Sequence, residues 1–171
     1  MSWSGKSCQA VELPLCRNKT GMNRVMNRVR VTSSSLRYKK LEKEVGQVFK
    51  ETLSVLKKEN FRLEVFLISN DKIRNLNREF RGKDEPTNVL SFEEVGEPDF
   101  IEARMGPDKN FKRIGEIYLA PDYISKKGQD FSKLAIHGLL HLFGYKHETK
   151  SDTIIMQKLE DRIWEKISSQ A

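Results

Sequence analysis

Three histidines are all the chain has, and they fall within one stretch, at positions 137, 141 and 147 of Leu134-Ala135-Ile136-His137-Gly138-Leu139-Leu140-His141-Leu142-Phe143-Gly144-Tyr145-Lys146-His147. His137 and His141 are four apart, so a helix stacks them one turn above the other, with Cβ atoms about 5–6 Å apart. Gly144 falls where such a helix needs a residue able to turn left-handed and stop. The chain can then double back and bring His147 toward the same point. A single histidine reads as an ordinary core or surface residue, but three at this spacing read as ligands of one metal ion. Three neutral imidazoles leave a fourth tetrahedral position open, as catalytic zinc sites do.

The spacing resembles the H-E-x-x-H-x-x-G-x-x-H signature of the metzincin proteases, with Gly138 where the general-base glutamate would stand. The metal platform is thus present without the peptidase's carboxylate. Met156 reads as a helix-face core methionine. Trp164 and Phe143 read as packing residues.

At 171 residues the chain suits one domain with a hydrophobic core. Its formal net charge is +7, yet the excess is local. Residues 1–40 carry nine Lys or Arg against Glu12 alone, which leaves 22 basic and 23 acidic side chains in residues 41–171. Global charge is therefore weak evidence for a nucleic-acid partner, and a solvated basic tail is the default. Cys8 and Cys16 match no common zinc or redox spacing. No signal-peptide stretch or membrane span is legible, so a reducing, cytoplasmic setting is expected. The basic, serine-containing start also suits an organellar transit peptide, the second reading. Residues 1–25 are expected to be a disordered basic extension, and residues 26–171 a single catalytic domain.

Val29 and Val31 alternate with arginines as a short strand. Leu41, Val45, Val48, Phe49, Leu53 and Leu56 recur at helical spacing, predicting a helix from about Ser35 to Lys58. Phe61–Leu67 reads as a strand. Asn70 or Asp71 is expected to cap a short helix whose apolar stripe is Ile73, Leu76 and Phe80. Gly82 and Pro86 interrupt it before a strand over Val89–Phe92, and residues 93–113 read as a mobile loop. Ile114–Ala120 predicts another strand, Pro121 and Asp122 a short helical turn, and Phe131 or Ser132 the start of the histidine helix. A last helix, capped by Ser151 or Asp152, presents Ile155, Leu159, Ile163 and Ile167. The expected fold is α+β or α/β: about four strands in a mixed sheet covered by about five helices.

Two long motifs, Leu76-Asn77 through Arg81, Lys83-Asp84, Pro86-Thr87 and Val89-Leu90-Ser91-Phe92, then His137 to His147, with Gly115-Glu116-Ile117 between them, resemble the YbeY family of endoribonucleases over about residues 26–168. The resemblance implies a zinc-dependent, single-strand-specific RNase that binds one Zn2+. It also implies a role in maturing the 3′ end of 16S rRNA and in ribosome quality control, with RNA and the small ribosomal subunit as partners. Carried over, His137, His141 and His147 are the metal ligands and Arg81 is needed for activity; Asn88 and Ser91 are candidate substrate contacts. Lys146 and Glu116 depart from the family's usual aspartates. Judged alone, Arg81 would be a surface partner of Asp84 or Glu85, and Thr87, Asn88 and Ser91 would serve turn capping or strand packing. The other readings are a metallopeptidase-like hydrolase and a non-catalytic ribosome assembly factor with a structural zinc.

Overall fold

Four stretches rich in β-branched and aromatic residues pair into one sheet in a computed structural model of the chain, which describes residues 27–94 and 111–169. They are β1 (Arg28–Ser33), β2 (Phe61–Leu67), β3 (Val89–Glu93) and β4 (Lys112–Leu119). Their spatial order is β1-β2-β4-β3, with β3 antiparallel at one edge and the other pairings parallel. The helices are α1 (Leu41–Val55), α2 (Asn70–Arg81), α3 (Pro121–Lys126), α4 (Phe131–Leu142) and α5 (Lys150–Ser168). Four strands in a mixed sheet with five α-helices agree with the α+β expectation. The expected N-terminal extension and both cysteines lie outside the described residues, as does most of the expected loop over 93–113.

One sheet face is covered by α1 and α4, which bury Phe49, Leu53, Leu63, Val65, Ile117 and Leu139 between them. α5 lies against α4 through Ile136, Leu140, Met156, Ile163 and Ile167. Alternation along β3 sends Val89 and Ser91 toward α4 and Leu90 toward α2, so α2 packs on the opposite face, with Ile73 and Leu90 in its core. Among the described residues no helix is long and apolar enough to cross a membrane.

Several local expectations are corrected. The first helix begins at Leu41 because a 3-10 turn, Leu36–Tyr38, precedes it. Ser69, not Asn70 or Asp71, caps α2, its hydroxyl accepting from the Lys72 N–H. Thr149 caps α5, and Asp152 completes a reciprocal capping box three residues on. Ile155 is 55% exposed, whereas Met156 is buried. Steps of four residues drift round a helix of 3.6 per turn, so Met156, Ile163 and Ile167 describe the inward stripe better. Phe80, predicted on the apolar face of α2, is 59% exposed.

Gly115 is the residue that lets β4 bulge against β2. Arg62 pairs with Arg113 and Leu63 with Gly115, so Ile114 is the extra residue. Gly115 has φ +133°, and a Cβ there would lie 2.1 Å from the Phe92 carbonyl oxygen. One residue on, the Glu116 carboxylate accepts from Arg113 and from the Tyr118 hydroxyl, each at 2.6 Å. Burial, then the hydrogen bond and charge of Glu116, push the Tyr118 phenol up to about 12. The neutral phenol is the form the fold favours, so its stabilising contribution is complete below the ordinary value of 10 and is lost as pH rises through about 12. An ultraviolet titration is expected to show a tyrosine ionising near 12 that Tyr118→Phe removes.

Candidate metal centre

α4 starts where Asp130 accepts from the Lys133 N–H at 3.0 Å and runs through both His137 and His141. It ends as the glycine spacing predicts. Gly144 has φ +80°, its N–H donates to the His141 carbonyl at 2.9 Å, and the Tyr145 N–H donates to the Leu140 carbonyl at 3.1 Å. This pair of bonds is the Schellman termination, with Tyr145 packed beside Leu140. The reversal returns His147 to the helix face, and one ring nitrogen from each histidine lies within 4.8 Å of the others.

The closest approach is His137 Nε2 to His141 Nε2, 3.0 Å. His137 Nδ1 lies 2.7 Å from Glu160 Oε1 on α5, so that nitrogen is the donor and Nε2 is left with its lone pair. His141 is itself bonded to the Tyr145 backbone. Two nitrogens meeting at this distance with lone pairs opposed repel each other unless a cation lies between them. Ligands about 2.0–2.1 Å from a tetrahedral ion sit roughly 3.3 Å apart, so the arrangement fits a divalent metal. His141 is also held below the ordinary imidazole value, chiefly by burial, then by His137 and His147, with Arg81 pushing the same way. It is therefore neutral at pH 7, the form that binds metal.

Arg81 is the last residue of α2, which Gly82 terminates at φ +69°. Of its two expected surface partners, Asp84 and Glu85, neither pairs with it, and Asp84 is otherwise engaged. Asp84 takes two hydrogen bonds from Arg74, at 2.9 and 2.8 Å, and lies 3.6 Å from Arg78. Among the described residues Arg81 has no ion-pair partner, and its charge is the smallest of the influences that hold His141 down.

Asn88 and Ser91 are committed within the fold. The Ser91 hydroxyl donates to the Gly138 carbonyl at 3.0 Å, bracing α4 on β3. Asn88 donates to Gln129 and accepts from the Val89 N–H. The absence of a glutamate at 138 also has a packing cause, because a Cβ there would meet Ser91 Oγ and Val89 Cγ2 at 3.1 Å. Lys146 points outward, 3.3 Å from Glu148, with both side chains more than half exposed. Glu116 faces away from the histidines, since its neighbour Ile117 is the one turned to Gly138.

Glu160 is the site residue that sequence reasoning missed. Its signal was an acid on the otherwise apolar inward stripe of α5, between Met156 and Ile163. A carboxylate behind a ligating imidazole fixes the ring and raises its basicity. Glu160→Gln is expected to weaken metal affinity about 10–100-fold with the fold intact, measured by competition with a chromogenic chelator.

The Endoribonuclease YbeY profile matches residues 27–168. A YbeY endoribonuclease of Sulfurihydrogenibium sp. is 31% identical over 164 residues, 89% of this chain and 97% of that one. That of Persephonella marina is 31% identical over 157 residues, 86% and 95% of the two chains. A solution structure of a Thermotoga maritima protein is similar at 28% identity and a TM-score of 0.46, covering 85% of this chain and 93% of its own. With the match spanning both long motifs and nearly every described element, the chain belongs to the endoribonuclease YbeY family.

Proposed function

We propose that this chain is a metal-dependent endoribonuclease that cuts single-stranded RNA, uses zinc, and acts on ribosomal RNA at the small subunit, including the 3′ end of 16S rRNA. The observation that carries the reading is the convergence of three imidazoles on one point, with Arg81, which has no ion-pair partner among the described residues, at the end of α2. The metzincin-type general base would stand at position 138, where this chain has Gly138 packed against Ser91 and Val89 of β3, and Glu160 is taken up by His137 Nδ1. A phosphodiester needs positive charge, which Arg81 offers.

His137, His141 and His147 would hold the ion. When bound, a divalent ion there supplies Lewis acidity toward a phosphoryl oxygen and lowers the pKa of a water to about 7. Arg81 binds the phosphodiester with paired N–H donors and opposes the negative charge that grows during cleavage. Glu160 keeps the His137 proton on Nδ1, so that Nε2 faces the centre. His147 is exposed, which leaves the histidine face open to a polymer substrate.

The test is incubation of zinc-loaded protein with single-stranded RNA and with casein, beside a His137→Ala control and a chelator arm. Cleavage of RNA alone, stopped by chelator and by the substitution, is the expected result. Cleavage of casein would support the peptidase reading. Inactivity on both, with co-sedimentation on ribosomes retained, would support an assembly factor with a structural metal.

A further inference from the structure

We propose that Phe80 is a stacking platform for an unpaired nucleobase, next to the phosphate contact of Arg81. The proposal rests on the RNA-cleaving reading above and adds a base subsite to it.

Ile73, Leu76 and Phe80 occupy one stripe of α2, at the spacing that normally buries all three. Ile73 is fully buried, yet Phe80 is 59% exposed and is the aromatic member of the exposed large hydrophobics among the described residues. Its ring is nevertheless held. Phe92 meets it edge-on at 4.8 Å, Tyr118 meets Phe92 at 5.7 Å, and Phe66 stacks on Tyr118 at 4.9 Å. A row of packed rings thus runs from the sheet to one ring with a free surface, whose orientation costs little entropy to fix.

The position is near the chemistry. Arg81 is the next residue along α2 and ends the helix. Phe92 and Ser91 are neighbours on the edge strand β3, Phe92 on its α2 face and Ser91 on its α4 face, where the hydroxyl is bonded to the Gly138 carbonyl. The ring row and the histidine helix thus lie on opposite sides of one strand at the sheet's edge. An aromatic face stacks on any base, and such stacking is sequence-tolerant. In a duplex the bases are already stacked on one another, so only an unpaired strand can offer one. Phe80 therefore supplies a physical source for single-strand preference that a phosphate contact alone lacks.

A lone exposed apolar residue is ordinary on protein surfaces, so the test must separate stacking from packing. Phe80→Leu keeps an apolar contact with Phe92 but has no π-face, and Phe80→Trp enlarges the face and reports on it. The metal-free full chain is titrated with a short oligouridylate and with the same strand carrying abasic riboses, so that binding is read without cleavage. Phe80→Leu is expected to weaken binding of the base-bearing strand about tenfold and to leave the abasic strand unchanged. Phe80→Trp is expected to retain affinity, with added fluorescence quenched by the base-bearing strand alone. Wild-type binding by Phe80→Leu, or an equal loss on both strands, would overturn the proposal. Wild-type protein that neither binds nor cuts RNA would instead remove the functional reading on which it stands.

Discussion

Arg81→Ala is expected to keep full metal content and to lose RNA cleavage by roughly 10²–10³-fold, the loss found when a donor to developing negative charge is removed. Arg81 is exposed, ends its helix, and has no ion-pair partner among the described residues, so little of the fold depends on it. Surface changes of that kind usually alter stability by no more than about 0.5 kcal/mol. The Arg81 guanidinium is thus available to a substrate. Arg81→Lys should recover only part of the rate, because an ammonium keeps the charge but not the planar pair of donors. Metal analysis and single-turnover cleavage of one labelled strand, measured on the same samples, check this. Undiminished cleavage by Arg81→Ala would take the arginine out of the mechanism.

How much of this was legible depends on what each feature needed. The histidine helix was readable because its spacing, its glycine stop and the return to His147 are all local, and the Schellman bonds at Gly144 and Tyr145 follow from them. Strand positions followed from side-chain composition and alternation. Caps were misassigned by one to three residues because neighbouring Ser, Asn, Thr and Asp all can cap, and the extended backbone of Ser69 and Thr149 decides among them. Periodicity placed Glu160 and Phe80 on their helix faces but not in their roles, since each role depends on what lies opposite: an imidazole in one case, the edge of the sheet in the other. The commitment of Asp84 to Arg74 and Arg78, which leaves Arg81 to the site, is likewise a tertiary fact. Ser91 was legible as a polar residue on a strand, but its bond to the Gly138 carbonyl requires α4 to lie on β3.

His141→Ala is expected to remove metal binding and cleavage together while leaving the metal-free protein folded. The helix's core contacts are made by Ile136, Leu139 and Leu140, and alanine is the best helix former, so the substitution keeps the main packing and the propensity and gives up one half-buried ring and its bond to the Tyr145 backbone. What it removes is the ligand that His137 Nε2 faces at 3.0 Å, leaving His137 with the exposed His147 as its only imidazole partner in the trio. The consequence is measurable apart from activity. A ligand that binds only the native state stabilises it by about 4.1 kcal/mol at a thousandfold excess over its Kd. The wild-type protein should therefore gain several degrees or more in Tm on adding zinc, and His141→Ala should gain little. Glu160→Gln should fall between them, because it loosens a ligand without deleting one. A His141→Ala protein that still carries one equivalent of tightly held metal would show that the three imidazoles are not the metal's ligand set.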